Sequence, residues 1–384
     1  MQSNKVLFFA IIGLAVVVVI GLLVGQRWWQ TANPIELSVL YSTEKEAWLN
    51  DVIANFEGRV DGRPIQVTLE KMGSREIYLA VLDGSRKPDV ISPASSLQTA
   101  ILQDLSARSG AALVNTSDPV SCRPVVSTPL VVVAWQEQAN VLWGDNPNGH
   151  MWLRLHEALV DPKGWESYGQ PEWGYIKFGH TDPLKSNSGF MTILLMTYNY
   201  FDKTSGLTSQ DILANVEYQQ WFTEIEGAIS EFGDSTGTYM QQIVTYGPSK
   251  YNLVAVYEST AIEQAANAVG RYGPLRVYYP PATVLSDHPF CVLKAEWVTP
   301  DKAAAAQVFT DYLLSQPVQQ KALLQYGFRP VDNTIPLDQP GSPFSSSDPV
   351  GDIGLKVDLP PQVELPPGDV LNTLLDFWSR NIAR

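Results

Sequence analysis

Residues 35–57, IELSVLYSTEKEAWLNDVIANFE, decide how the rest of the chain is read. Ile35, Leu37, Val39 and Tyr41 recur at every second position, the period of a half-buried strand. Trp48, Val52, Ile53 and Phe56 then follow at helical spacing. The unit repeats. Ile65, Val67 and Leu69 make a second strand, and Ser74 opens a helix carrying Ile77, Ala80, Val81 and Leu82. PDVIS (88–92) is a short third strand, and SSLQTAILQDL (95–105) a helix behind a serine cap. Strands and helices alternating over short connections predict a parallel sheet covered by helices on both faces.

A second series lies downstream. VVSTPLVVVAW (125–135) reads as one strand buried on both sides. WGYIKFGHTDP (173–183), a helix from Ser188, a long helix over 212–229 and an apolar strand over 252–257 follow. FCVLKAEWV (290–298) reads as another long strand and 301–315 as an amphipathic helix. The pattern predicts two α/β lobes with a cleft between them.

Composition narrows the functions open to such a body. Among 384 residues, 26 Lys and Arg stand against 40 Asp and Glu, a net charge of −14. An acidic chain without a basic run is a poor ligand for nucleic acid, whose affinity rests on clustered Lys and Arg. Two cysteines and four scattered histidines leave little room for a zinc framework, and no GxxxxGK loop is present. No metal and no cofactor are expected.

The amino terminus stands apart. Residues 6–25, VLFFAIIGLAVVVVIGLLVG, carry no charge. At about 1.5 Å per residue they span roughly 30 Å, the thickness of a bilayer core. Lys5 flanks one side, and Arg27, Trp28 and Trp29 the other. The exit, GQRWWQTANP, lacks the small-residue pattern of a cleaved signal peptide. Residues 1–30 are therefore expected to be a transmembrane signal anchor, with the bulk of the chain outside the membrane.

The first N–H groups of a helix are unpaired and carry partial positive charge, so helix starts at the carboxyl edge of a sheet suit a polar ligand. The sequence places hydroxyl or amide residues at those starts: Ser42 and Thr43, Ser74, Ser95 and Ser96, Ser186 to Ser188 around Asn187, and Ser235 with Thr236. Each alone suits a helix cap, but the set from both lobes predicts ligand contact. Gly189 and Gly237 would let a ligand approach the backbone. Glu258 follows the strand ending in Tyr257 and should point into the cleft, either capping a helix, pairing with Lys250, or accepting from a cation, an amine or sugar hydroxyls. Glu44 and Asp182 occupy comparable edges, while Lys45, Arg75 and Lys185 supply the opposite sign, which leaves the ligand's charge open.

TPDKAAAAQVFTDYLLSQPVQQKALLQYGFRPV (299–331) resembles the closing helices of type II extracellular solute-binding proteins, the class serving ABC transporters that includes sulfate, molybdate and iron binders. Phe309, Leu313 and Leu314 match its anchors, Ser315 and Pro317 its break, and Tyr326 to Pro330 its ending. The stretch from Ile35, HTDPLKSNSGFMTILLM (180–196) and GPSKYNLVAVYESTAI (247–262) resemble further pieces in the family's order, covering about 35–335. The resemblance implies a two-lobed periplasmic-binding-protein type II fold with a discontinuous first lobe (35–127 and 288–335), a second lobe over 128–287, and hinge crossings at 125–135 and 284–293. It implies a small polar solute or ion as ligand and an ABC permease as partner, with a monomeric receptor. Cys122 and Cys291 fall at the crossings, where an oxidising compartment would permit a disulfide; buried free thiols are the alternative.

Competing functions have weaker support. Gly233, Ser235 and Gly237 match G-x-S-x-G, but a nucleophile elbow needs a preceding strand and 219–232 has helical spacing, which disfavours a serine hydrolase. His150 and His156 lie six apart, off one helical face, while His180 precedes the expected ligand loop. Residues 336–367 are proline-rich and extended, and they lead to an apolar-faced helix with Val370, Leu374, Leu375, Trp378 and Ile382. That tail (336–384) reads as a strap packed on the body, or as an arm docking a membrane protein if the chain is a sensor or scaffold.

Overall fold

The computed structural model describes residues 33–144, 150–345, 347 and 351–383, with residues 14 and 16–20 in a helix. Apart from those six residues, the expected anchor lies outside the described residues. Among the described residues no helix is long and apolar enough to cross a membrane.

The opening alternation forms β1 (Ile35–Tyr41), α1 (Glu46–Ile53), β2 (Arg59–Val60), β3 (Arg63–Lys71), α2 (Ser74–Leu82), β4 (Val90–Ser92), α3 (Ser96–Arg108) and β5 (Cys122–Pro124). The second series forms β6 (Thr128–Trp135), α4 (Gln136–Trp143), α5 (Met151–Val160), β7 (Phe178–Gly179), α6 (Asn187–Tyr200), α7 (Ser209–Ala214), α8 (Val216–Ala228), α9 (Thr236–Tyr246), β8 (Leu253–Tyr257), α10 (Glu258–Ala268), β9 (Leu275–Tyr278) and β10 (Leu285–Ser286). The chain closes with β11 (Pro289–Val292), α11 (Pro300–Leu313), α12 (Gln316–Tyr326) and α13 (Gly368–Asn381).

These strands make two sheets, ordered β2-β3-β1-β4-β11-β5 and β10-β6-β8-β7, with β9 also paired to β6. β1 runs parallel to β3 and β4, so its carboxyl end and theirs share one edge. The sheets are mixed rather than wholly parallel: β11 is antiparallel to β4 and β5, and β6 to β8. Antiparallel strands enter where the chain changes sheet. It leaves the first sheet at Pro124, joins the second at Thr128, and returns between Ser286 and Pro289. Two short segments, 125–127 and 287–288, thus connect the lobes.

Three readings of the sequence change. Residues 125–135 are a crossing followed by a strand, since Val125 bonds to the His288 carbonyl and Ser127 pairs with Arg329 before β6 begins. The long strand expected over 290–298 stops at Val292, after which Leu293 and Lys294 donate to the Asp89 and Leu113 carbonyls outside the sheet. The helix expected over 212–229 is two helices broken at Asn215, whose side chain caps the second by accepting from the Tyr218 N–H at 2.7 Å.

The tail wraps the body. Its extended part lies along the second sheet, with Val277 N–H donating to the Ile353 carbonyl at 2.7 Å. Thr283 N–H donates to the Pro361 carbonyl and Val363 N–H to the Thr283 carbonyl, both at 2.8 Å. Ile353, Leu355 and Leu359 pack on the core over the outer face of that sheet. α13 then buries Leu371, Leu374, Leu375 and Trp378 against α3 of the first lobe and α6 and α7 of the second. Its indole is anchored at depth: Trp378 Nε1 donates to Glu226 Oε2 at 2.6 Å, and Glu226 Oε1 meets His180 Nε2 at 2.9 Å. His180 Nδ1 faces the Thr181 carbonyl at 2.8 Å. Both ring nitrogens therefore face oxygen acceptors, the pattern of an imidazolium. Burial alone would lower the pKa of His180, but Glu226 outweighs it and the value is raised above the ordinary 6.5.

A group raised by folding stabilises fully below its unfolded pKa, and that contribution is lost as pH climbs through the folded value. Denaturant midpoints should therefore fall as pH rises above about 6.5, and less so in His180→Gln; a midpoint that rises over this window would contradict the assignment. Cys122 and Cys291 sit opposite one another on β5 and β11, Cα atoms 4.0 Å apart, joined as a disulfide. The native chain should take up no alkylating agent without reductant, and reduction should destabilise it by about 2–5 kcal/mol; two alkylated thiols without reductant would disprove the bond.

Candidate functional site

The expected ligand residues do gather between the lobes, but most of their polar atoms serve the protein. Ser42 Oγ accepts from Lys45 Nζ at 2.7 Å. That ammonium is fully buried and also donates to the Ser92 and Pro93 carbonyls, at 2.9 and 3.2 Å. His288 Nδ1 lies 3.1 Å from it, so the imidazole accepts and is neutral. Burial lowers the pKa of Lys45 to about 7, against the pull of Glu44 and Asp287. Burial and the Lys45 charge hold His288 well below its ordinary value.

The helix-start serines of the first lobe are similarly engaged. Ser74 Oγ accepts from Ala94 N–H at 3.0 Å, and Ser95 Oγ caps α3 through Leu97 N–H at 3.2 Å. Ser96 donates its N–H to Asp287 Oδ1 at 2.7 Å and its hydroxyl to the other carboxylate oxygen. This bond crosses from α3 to the returning hinge segment. Arg75 is partly buried beside Ser74 at the start of α2.

In the second lobe, Ser188 Oγ lies 2.8 Å from Thr181 Oγ1 and 2.7 Å from Thr236 Oγ1, while Ser186 Oγ is 3.3 Å from Thr236. These buried hydroxyls satisfy one another. Asp182 receives the Leu184 N–H at 2.8 Å and shapes the turn before α6. Gly189 permits a close approach by the protein itself: a Cβ there would fall 1.9 Å from the Thr181 carbonyl oxygen. Asn187 does reach across the cleft. Its Oδ1 accepts from Gln98 Nε2 of the first lobe at 2.8 Å, and its Nδ2 donates to Tyr257 Oη at 2.9 Å.

Glu258 occupies the edge that the sequence predicts, with a different partner. It is fully buried and receives Arg329 bidentately, Nε to Oε1 at 2.7 Å and Nη2 to Oε2 at 2.8 Å, with the Tyr279 hydroxyl also donating. Lys250 instead pairs with Glu231 at 3.1 Å. His180 is sealed in the core, and His156 pairs with Glu224 at 2.7 Å. Ser235 caps α9, bonding the Thr238 hydroxyl at 2.9 Å and N–H at 3.4 Å, and no strand element ends at it, so the G-x-S-x-G match is a cap and not a nucleophile elbow.

What stays open is a cavity of about 820 Å³ between the lobes. Thr43, Glu44 and Asn50 line it from the first lobe; Ser235, Gly237, Thr238 and Gln241 from α9; Ser259, Thr260 and Glu263 from α10. Tyr326 and Phe328 close one side. Among the described residues, three carboxylates (Glu44, Glu46 and Glu263) and no Lys or Arg line the cavity, and Glu46 is neutralised by Lys71 at 2.9 Å. Glu44 turns Oε2 into a buried position with no hydrogen-bond partner among the described residues. Thr238, Gln241, Thr260 and Glu263 escaped sequence reasoning because it stopped at helix caps. Their spacing of three on α9 and on α10 puts each pair on one helix face, a signal that was available.

Residues 37–329 match the model of a family described as bacterial extracellular solute-binding protein. No curated protein matches the chain. Among solved structures, iron-bound HitA from Pseudomonas aeruginosa is similar at 15% identity and TM-score 0.57, covering 91% of this chain and 100% of its own. AfuA from Actinobacillus pleuropneumoniae, with fructose-6-phosphate bound, is similar at 14% and 0.57, covering 90% and 98%. The sulfate-binding protein SubI from Mycobacterium tuberculosis is similar at 17% and 0.52, covering 78% and 88%.

Removing one partner of a buried ion pair leaves an uncompensated charge. Arg329→Met should therefore cost about 3–5 kcal/mol, and Glu258→Gln with Arg329→Met much less. Equilibrium denaturation of the two variants measures the difference; equal losses would show that the pairing is not what holds this region.

Proposed function

The chain belongs to the bacterial extracellular solute-binding protein family, a family of binding proteins rather than enzymes, and from that premise we propose that its cleft captures a small solute bearing hydrogen-bond donors, with a cationic or amine group at Glu44. The acidic lining carries this reading: Glu44 and Glu263 face the cavity from opposite lobes, and no Lys or Arg lines it among the described residues. The start of α9 adds Ser235 and Thr238, and α10 adds Ser259 and Thr260, hydroxyls fit to bind either a neutral polyol or the flank of a cation.

An anion fits less well. Of the three basic residues expected near the cleft (Lys45, Arg75 and Lys185), Lys45 is held by Ser42, two carbonyls and His288, and Lys185 pairs with Asp234 at 2.7 Å. The solute would bridge both lobes and favour the shut state, since only contacts made in that state shift the equilibrium. Transfer to an ABC permease, an extracytoplasmic position and tethering by residues 1–30 complete the proposal, supported by the family and by the uncharged run 6–25.

Thermal-shift titration against polyamines, basic amino acids, neutral sugars, sulfate and phosphate tests the ligand class. A cationic or polyhydroxy solute should raise the melting temperature, by about 2.7 kcal/mol of stabilisation at a hundredfold excess over Kd, and Glu44→Gln should remove most of that rise. A rise with sulfate or phosphate that Glu44→Gln leaves intact would overturn the assignment.

A further inference from the structure

We propose that the carboxyl-terminal tail is an interlobe clamp: α13 is seated on both lobes at once and thereby sets how often the cleft opens. In a two-lobed body joined by segments as short as 125–127 and 287–288, opening requires the lobes to rotate about those crossings. Any element fixed to both lobes elsewhere opposes that rotation. α13 is such an element. At its start, Gly368 lies so close to α3 that a Cβ would fall 2.9 Å from Asp104 Cβ and 3.1 Å from the Ala100 carbonyl oxygen. At its other end, the Trp378 indole is bonded to Glu226 of the second lobe and stacks edge-on with Phe232 at 5.2 Å. Thr373 lies between them, 3.0 Å from Ser209 of α7.

Two of the three helices that α13 touches, α3 and α6, start at the cleft floor. Gln98 of α3 and Asn187 of α6 meet there at 2.8 Å. α13 therefore spans the same two helices that separate when the lobes part, and it buries an apolar face that opening would expose to water. The extended part of the tail holds the clamp in place. Arg329, at the crossing, donates to the Val357 carbonyl at 2.8 Å and, through Nη2, to that of Lys356 at 2.5 Å. Glu364 receives the Gly206 N–H at 3.1 Å. The clamp goes beyond the proposed solute function and depends on no particular ligand.

Nitroxide labels at Asn50→Cys and Gln241→Cys, exposed residues on opposite walls of the cavity, report lobe separation by pulsed dipolar spectroscopy in the full-length chain without added solute. Gly368→Val should lift α13 from α3 and enlarge the long-distance population at least threefold. Trp378→Phe keeps the packing but removes the bond to Glu226, and should give a smaller shift in the same direction. Circular dichroism checks that each variant is folded. A folded Gly368→Val or Trp378→Phe chain with the parent distance distribution would overturn the clamp, whatever the solute titration shows. A failed solute titration would leave the distance result standing.

Discussion

The buried pairing of Arg329 with Glu258 fixes where several otherwise separate parts of this molecule meet. Burying either charge alone would cost several kcal/mol, so each must be matched, and the planar guanidinium meets the carboxylate with two parallel bonds. Arg329 also exchanges backbone bonds with Ser127 on the hinge crossing, at 2.8 and 2.9 Å. Its remaining donors hold the strap at Lys356 and Val357. One side chain thus brings together the end of the first lobe, the crossing, the start of α10 and the tail.

The cleft follows a related logic. Its floor is polar but internally satisfied: Lys45 with Ser42, Ser188 with Thr181 and Thr236, Asn187 with Gln98 and Tyr257. Such a floor is preorganised, and its groups offer little to a ligand without first breaking bonds. The outer cavity differs, because α9 and α10 turn their second polar layer toward it, beside the carboxylates of Glu44 and Glu263. The proposed solute contacts lie there, at and one helical turn beyond the start of α9.

Much of this was legible from residue pattern. The alternation from Ile35 and the serine caps located the strands, the helix starts and the edge where they converge, because those features are local. Contacts between distant residues were not legible. Glu258 was placed correctly at a strand end, yet its partner lies 71 residues further on, beyond any spacing rule. The apolar run from Val125 looked like one strand because burial is shared by a crossing and a strand, and hydrophobicity does not distinguish them. Likewise Asn215 interrupts a helical period that reads as continuous from 212 to 229.

The strap has a consequence for the chain as a colloid. Among the strands of the described residues β9 pairs with β6 alone, which leaves its other side as an edge, the kind of surface on which a second chain can add a strand. Ile353 takes the Val277 N–H on that side, and Pro361 and Val363 continue the cover at Thr283. Pro360 and Pro361 lack N–H groups, so the covering segment closes the edge while offering a poor template of its own. The proline content that marked this segment as extended thereby also withholds hydrogen-bond donors from a second chain at that edge.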